Sequence, residues 1–250
     1  MNLLLLESNE IKSDSTVYLQ DRRCEHIIKI LGCKPGDTVR AGIINGPVGT
    51  AEILTVRVEE KSAQVILRFS AQDGNQSEHP AVDLILGLVR PIMLKRVLAQ
   101  VASLGVGRIF LVNGKRVEKS FFSASLLRDE NYRFYLVQGL EQAKDTFLPE
   151  VTIYERFKPF VEDFIPTVSK EYDRMLVAHP EGNADLKQIL GNNIKGKTLL
   201  AVGPEGGWVD FEIRKFIENS FVPVSLGRRV LRTDTAVVAL LAQLMLLQGD

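Results

Sequence analysis

Two stretches near the C-terminus decide the expected fold: Thr198-Leu-Leu-Ala-Val-Gly-Pro-Glu-Gly-Gly-Trp208 and Phe221-Val-Pro-Val-Ser-Leu-Gly-Arg-Arg-Val-Leu-Arg-Thr-Asp-Thr-Ala236. Each begins as an apolar, strand-like run and breaks into a loop that contains glycine, a residue that lets the backbone approach a ligand closely. Ligands of open α/β sheets bind beyond the carboxyl ends of the strands. We therefore expect both loops to form one ligand site.

From residue 81 onward, short apolar runs alternate with segments of helical periodicity. The runs predict strands over 82–89, 108–112, 150–154, 174–178, 199–202 and 222–226. The periodicity predicts a helix opened by Pro91, one over 123–144, one over 157–169 that breaks at Pro166, and three near Asp185, Asp210 and Thr235. This alternation indicates an α/β fold with a mainly parallel sheet and helices on both faces.

The N-terminal part of the chain has a different pattern. Residues 3–70 contain short β-branched runs separated by turn signals, with one helical segment over 22–31, and predict a small β-barrel. The polar stretch 71–80 is interpreted as a linker. We expect domains at 1–70 and 81–250.

Composition sets broad limits on function. The 250 residues include 31 basic and 31 acidic side chains, so net charge gives no general attraction to nucleic acid or anionic membranes. The two cysteines match no metal or redox spacing and are expected to be free thiols. No metal-ligand set, export signal or membrane span is predicted, and the expected location is the cytoplasm.

The loop Gly203-Pro-Glu-Gly-Gly207 combines backbone freedom with one carboxylate. Glu205 can accept hydrogen bonds from ribose hydroxyls or from an amine. A phosphate-binding loop is disfavoured, because no Gly-Lys-Ser/Thr ending follows. The alternative is an ordinary glycine-rich turn.

The second loop places Arg228, Arg229 and Arg232 just before an apolar helix. Thr233 or Asp234 could serve as its N-cap. Capping alone does not explain three arginines in one turn, whereas an anion site does.

The two loops, in this order at the C-terminus, resemble the SPOUT methyltransferases, and more narrowly the RsmE family of small-subunit (16S) ribosomal RNA uridine N3-methyltransferases. The N-terminal part, with His26-Ile-Ile-Lys-Ile-Leu31 and Lys34-Pro-Gly-Asp37, is similar to the PUA-like RNA-binding domain of that family. The resemblance implies a trefoil-knotted catalytic domain, a homodimer, and S-adenosylmethionine bound in the knot. The residues it assigns to the cofactor are Val202, Gly203, Glu205, Gly206, Gly207, Leu226, Gly227, Val230, Leu231, Thr235 and Ala236.

Methylation of uridine N3 requires loss of the imino proton, so the reaction needs a base or a stabilising positive charge. Asp234 is the candidate base. Arg232 is the candidate for holding the target phosphate or the uracil oxygens.

Arg22, Arg23, His26 and Lys29 lie on one predicted helical segment and could contact RNA phosphates. The alternative is a solvated helix face. Residues 1–70 contain as many acidic as basic side chains. This balance is interpreted as recognition of a shaped, assembled small ribosomal subunit, and the alternative is that it argues against RNA binding by this domain. Two further features remain open: a small basic cluster of Lys115, Arg116 and Lys119, and His179, which could be structural or line the pocket.

The sequence departs from the family on the substrate side. It has Thr233-Asp234-Thr235 where most members have Thr-Glu-Thr, and Gln142-Ala143-Lys144-Asp145 where they have Gln-Ser-Gly-Arg. Two alternatives therefore stay open: a non-catalytic RNA-binding or ribosome assembly protein, and a methyltransferase of the same fold that acts on another RNA base, such as one in tRNA.

Overall fold

A computed structural model describes residues 2–60, 62–72, 80–127, 131–182, 185–191 and 194–248. The chain divides into two compact units. Unit 1 comprises residues 1–79 and 137–148, and unit 2 comprises 80–136 and 149–250. Ala71, the first residue of the expected linker 71–80, is the last residue of a strand. Residues 73–79 of that linker lie outside the described ranges.

Unit 1 is built on a five-stranded sheet in the order β1-β3-β4-β5-β2. Its strands are β1 (Leu4–Leu6), β2 (Thr16–Leu19), β3 (Thr38–Ile43), β4 (Val48–Val58) and β5 (Ala63–Ala71). Only the β1–β3 pair is parallel, and the other three pairs are antiparallel. Alternating apolar residues of these strands, such as Val17, Ile53 and Leu67, point to one buried core.

One helix interrupts the strands of unit 1, as predicted. Helix α1 (Arg22–His26) continues as a π-helical turn over Ile27–Leu31. Asp21 caps α1 by accepting a hydrogen bond from the backbone N–H of Arg23. Cys24 and Ile27 are buried in the core, which fixes the inner face of the helix.

The segment 137–148 joins unit 1 through hydrogen bonds. The backbone N–H groups of Asn2 and Leu3 both donate to Glu141 O at 3.1 Å, and Thr146 Oγ1 donates to Gly46 O at 2.8 Å. The sequence placed this segment in the second domain, because it is far from residues 1–70 along the chain. These contacts between distant residues have no local sequence signal.

Unit 2 contains a six-stranded sheet in the order β11-β9-β10-β6-β7-β8, and each pair is parallel. The strands are β6 (Val82–Gly87), β7 (Val106–Val112), β8 (Glu150–Tyr154), β9 (Arg174–Ala178), β10 (Thr198–Val202) and β11 (Val222–Val224). Both β6 and β10 are buried along their whole length. The predicted parallel α/β sheet is therefore confirmed.

Helices connect these strands. They are α2 (Pro91–Ser103), α3 (Lys119–Phe122), α4 (Arg133–Ala143), α5 (Phe157–Pro159), α6 (Ile165–Val168), α7 (Leu186–Leu190), α8 (Asp210–Glu218) and α9 (Thr233–Gln248). Pro91 opens α2 as predicted. The helix expected over 123–144 is instead the shorter α4, preceded by α3 and by a 3-10 turn at Ser125–Leu127. Residues 128–130 lie outside the described ranges.

The prediction of a break at Pro166 was wrong. The helix runs on through a π-helical segment (Phe160–Phe164) into α6 and a 3-10 turn at Ser169–Glu171. Proline lacks an N–H and its ring crowds the preceding turn. The wider π turn, in which Ile165 N–H donates to Phe160 O, precedes the proline and relieves that crowding.

A buried carboxylate fixes the amino ends of the central strands. Asp83, on β6, is fully buried and accepts hydrogen bonds from Arg108 Nε at 2.7 Å and Tyr172 Oη at 2.6 Å. Lys197 Nζ lies 2.9 Å from the same carboxylate. Burial and the hydrogen bond to Asp83 raise the pKa of Tyr172, so the phenol remains a donor. This network holds β6, β7 and the start of β10 together.

Within the described ranges, none of the helices is long and apolar enough to cross a bilayer. The same part of the chain has no group of three or more His, Cys, Asp or Glu side chains that could hold a metal ion. Cys24 and Cys33 are both free thiols. Burial raises the pKa of each thiol.

Candidate active site

A cavity of about 370 Å³ lies in unit 2, at the carboxyl ends of β9, β10 and β11. Both glycine-bearing loops line it, as the strand-end rule predicts. Of the residues assigned to a cofactor from the sequence, those that line the cavity are Val202, Gly203, Glu205, Gly206, Gly207, Leu226, Gly227, Val230, Leu231 and Ala236.

Thr235 does not line the cavity; it is exposed on α9. Thr233 and Ala236 line it instead, because residues three apart share a face of a helix. Thr233 is the first residue of α9 and Asp234 the second, so both lie inside the helix and neither is its N-cap. The carbonyl of Arg232 accepts the hydrogen bond from Ala236 N–H that closes the first turn.

The first loop forms a tight turn after β10. Gly207 N–H donates to Pro204 O at 2.8 Å, and Gly207 adopts a φ of 72°, a left-handed conformation that favours glycine. Glu205 accepts a hydrogen bond from the backbone N–H of Arg90 at 3.1 Å, and its side chain is 29% exposed. The loop therefore presents backbone groups and one partly exposed carboxylate to the cavity.

An aromatic cluster packs beneath the end of this loop, on the side of the apolar core. Trp208 is buried and packs against Phe157 and Phe216, with ring centroids 5.8 and 5.2 Å away. These rings belong to the main core of unit 2. The loop is thus anchored by apolar contacts that the sequence alone did not reveal.

A second buried carboxylate connects the segment that follows the first loop to the loop after β7. Glu212, on α8, accepts hydrogen bonds from Val209 N–H at 2.9 Å and from Lys115 N–H at 2.7 Å. Gly114 packs closely against Glu212 and Trp208. This arrangement brings Arg116 to the cavity, where it donates a hydrogen bond to Gly206 O.

The candidate catalytic residues lie beside the cavity. The side chain of Arg232 is 69% exposed, and that of Asp234 is 13% exposed. Their charged groups are 3.7 Å apart, and Arg96 Nη1 on α2 lies 4.0 Å from the same carboxylate. Asp234 also accepts a hydrogen bond from Thr235 N–H at 3.0 Å. The structure thus joins the two residues in an ion pair at the start of α9.

Other residues that line the cavity were not among those assigned to the cofactor from the sequence. They are Arg116, Ala178, His179, Pro180, Glu181, Pro204, Trp208, Asp210, Val224, Ser225, Arg229 and Thr233. His179 lines the cavity, and its Nδ1 accepts a hydrogen bond from Glu181 N–H at 3.3 Å. The rule that ligands bind beyond strand ends could have found about half of them, namely Ala178 and Val224 at the ends of β9 and β11 and His179, Pro180, Glu181, Pro204 and Ser225 just after β9, β10 or β11.

The predicted RNA-contacting residues lie on α1 and on the π-helical turn that continues it, and they differ in how their charges are paired. Arg23 donates hydrogen bonds to Glu10, to Asp21 and to the carbonyl of Leu5, and its side chain is only 11% exposed. Burial opposes its charge, but the bonds to Glu10 and Asp21 outweigh this and raise its pKa. Arg22 forms a two-bond pair with Glu141, at 2.8 and 2.9 Å.

The other two residues, His26 at the end of α1 and Lys29 on the π-helical turn that follows, differ in exposure. Lys29 is exposed and lies 3.4 Å from Glu25. His26 is half-buried, and desolvation lowers its pKa. The structure therefore places all four residues on one helical segment, but three of them, Arg22, Arg23 and Lys29, pair with carboxylates within unit 1.

The comparisons with known proteins agree with the parallel α/β fold and with a ligand cavity at its strand ends. A family model for the RNA methyltransferase domain matches residues 76–245. The chain is 33% identical over 241 residues to ribosomal RNA small subunit methyltransferase E of Treponema pallidum, covering 96% of this chain and 88% of the relative. It is 30% identical to ribosomal RNA small subunit methyltransferase E 1 of Borreliella burgdorferi, covering 96% and 95%.

The chain therefore belongs to the RNA methyltransferase family, in the group of the ribosomal RNA small subunit methyltransferases E. The fold agrees with a crystal structure of such an enzyme from Neisseria gonorrhoeae bound to S-adenosyl methionine. The TM-score is 0.75 at 22% identity, covering 98% of this chain and 97% of the other.

Proposed function

We propose that this protein transfers a methyl group from S-adenosylmethionine to N3 of a uridine in small-subunit (16S) ribosomal RNA. One observation carries the proposal: the strand-end cavity of unit 2 is lined by both loops that carry the family resemblance. Relatives across nearly the whole chain are named for methylation of small-subunit ribosomal RNA.

The residues around the cavity fit S-adenosylmethionine. The volume of about 370 Å³ falls in the range of small-ligand pockets. Leu226, Val230 and Leu231 offer apolar surface for an adenine ring, and Glu205 offers acceptors for ribose hydroxyls or the amino group. Bound there, S-adenosylmethionine would supply the methyl group as an electrophile.

The chain's own residues would prepare the nucleotide. Asp234 would accept the proton from uridine N3, and Arg232 would hold the target phosphate or the uracil oxygens. The observed ion pair between them supports a joint role, since it keeps the carboxylate oriented beside the cavity. Most of the rate enhancement would come from orienting the nucleotide.

Unit 1 would hold the RNA through the exposed side of α1. Lys29, His26 and the outer part of Arg22 would contact phosphates, while Arg23 would hold the helix in place. The five-stranded, mainly antiparallel sheet of unit 1, packed around one apolar core, supports a PUA-like fold. A domain boundary between 70 and 81 is part of this proposal.

The proposal includes a trefoil knot and a homodimer. After edge strand β11, the chain returns across the sheet, and α9 packs against α2, α7 and β10. Such a return supports the knotted path. The largely apolar helix α9 exposes Leu246, and this supports a subunit interface. An assembled small subunit in the cytoplasm would be the substrate.

The test is methyl transfer to small ribosomal subunits taken from cells that lack this protein, followed by mass mapping of the RNA. The expected result is one new methyluridine in 16S RNA. Methylation of tRNA alone, or cofactor binding without transfer to any RNA, would contradict the proposal and favour one of the two alternatives.

Two variants test the catalytic assignment. Arg232→Ala and Asp234→Asn are each expected to lower kcat about 100-fold, the size typical for loss of one general base or charge-stabilising group. Cofactor affinity, measured by calorimetry, should stay within threefold. Full activity in both variants would overturn the assignment of these residues.

A further inference from the structure

Arg116 is a cavity residue whose position is fixed by a dedicated set of contacts. Its loop follows β7, and the buried carboxylate of Glu212 accepts a hydrogen bond from the neighbouring Lys115 N–H. Asn113 fixes the start of the loop. Its backbone N–H donates to Tyr154 O and its side-chain Nδ2 donates to Glu155 O, both at 2.9 Å. The loop is therefore braced before any ligand binds.

The aliphatic part of the Arg116 side chain packs closely against Gly206 in the first loop, residues 203–207. A Cβ atom added to Gly206 would lie 2.9 Å from Arg116 Cβ and 3.0 Å from its Cδ, closer than side chains approach. Arg116 Nη1 donates to Gly206 O at 2.5 Å. Gly206 is thus needed for the close approach of this arginine.

Most of the guanidinium remains available. Arg116 is exposed at the cavity, and in the described part of the chain its hydrogen bond to Gly206 is the only one it makes. A guanidinium carries five N–H donors in a planar fork that matches phosphate oxygens. Its fixed position and free donors are the features of a phosphate-binding group.

We propose that Arg116 binds RNA at the cavity: one N–H donates to the Gly206 carbonyl oxygen and fixes the guanidinium, and the other N–H groups bind a phosphate next to the target uridine. This inference rests on the proposed function and adds a substrate-binding residue to it. Phosphate is preferred over the uracil oxygens, because the free edge offers two parallel donors, which suits bidentate binding of a phosphate.

The experiment compares Arg116→Met with Lys119→Met as the matched control. Methionine keeps an unbranched stem over Gly206 and removes the donors, whereas Lys119 is an exposed cation nearby that does not line the cavity. Methyl transfer to small subunits is measured at several salt concentrations, with cofactor Kd from calorimetry. Activity of the unaltered protein in the same assay tests the proposed function separately.

Arg116→Met is expected to raise KM for small subunits about tenfold, as loss of a charged hydrogen-bonding group predicts. The slope of log KM against log salt should fall by about 1, because one phosphate contact is lost. Cofactor Kd should change less than threefold, and Lys119→Met should behave like the unaltered protein.

Arg116→Lys gives a second check. It should restore the salt slope but only part of the affinity, since lysine keeps the charge and loses the fork. A tenfold weaker cofactor Kd in Arg116→Met, with KM and salt slope unchanged, would overturn the proposal and leave Arg116 as a brace for Gly206. Unchanged values of all three would overturn it as well.

Discussion

The arginines of α1 and those around the cavity look alike in the sequence but use their charges differently. Arg23 is largely buried and binds the carboxylates of Glu10 and Asp21, and Arg22 binds Glu141. Arg116 and Arg229 instead line the cavity with exposed side chains. A basic cluster in a sequence thus indicates a binding surface only where carboxylates do not already neutralise it.

This difference predicts that replacing the α1 arginines and replacing the cavity arginines affect different properties of the protein. Loss of an α1 arginine should lower stability, because it leaves partly buried carboxylates without a partner. Loss of a cavity arginine should lower activity and leave stability unchanged, because exposed charges contribute little to folding.

The largest effect is expected from Arg23→Ala. It should lower the free energy of unfolding by about 2–3 kcal/mol, below the range for fully buried pairs because Glu10 and Asp21 stay partly exposed. Urea titration would measure it, with the exposed Arg57→Ala as control, expected within about 0.5 kcal/mol. A change equal to that of the control would mean that the Arg23 ion pairs contribute nothing.

The same ion pairs should produce acid sensitivity. Burial alone would raise the pKa of Glu10 and of Asp21, but hydrogen bonds from Arg23 outweigh it and lower both from ordinary values of 4.5 and 3.8. Their stabilising contribution is complete above those values and is lost as pH falls through the lower folded values. Unfolding measured between neutral pH and about pH 3 should therefore show a shallower decline in Arg23→Ala than in the unaltered protein. Parallel curves would argue against this origin of acid sensitivity.

A cavity arginine should show the opposite pattern. Arg229→Met is expected to raise KM for small subunits about fivefold, which corresponds to about 1 kcal/mol. Its free energy of unfolding should stay within about 0.5 kcal/mol of the unaltered value, because the side chain is exposed. Steady-state kinetics and urea titration of the same preparation separate the two. Loss of stability without a change in KM would reverse the comparison.

The smallest effect is expected from Lys29→Met. Its ion pair with Glu25 is exposed on both sides, so stability should change by less than about 0.5 kcal/mol. If the π-helical turn that continues α1 contacts RNA, the slope of log affinity for small subunits against log salt should fall by about 1. An unchanged slope would show that this face of α1 is only solvated.

Much of the fold could be predicted from local patterns. Apolar runs and helical periodicity located the six strands of unit 2 and the helices that follow β6, β10 and β11, because burial of these segments needs no information from distant residues. The course of the chain at Pro166 could not be predicted, since a π turn compensates for the proline. Nor could the assignment of 137–148 to unit 1, which depends on bonds between residues far apart in the chain.

The sequence by itself determined the parallel sheet and the two loops at its carboxyl ends, because strand ends and glycines can be read locally. Ten of the eleven residues that the family resemblance assigns to the cofactor line the cavity between these loops. Only the tertiary structure decided which arginines are free. The partners are distant in the sequence and meet only after folding. Arg22 binds Glu141, Arg23 binds Glu10, and the backbone N–H of Lys115 binds Glu212. Charge is a property of the residue, but its availability depends on partners that three-dimensional packing brings within hydrogen-bonding distance.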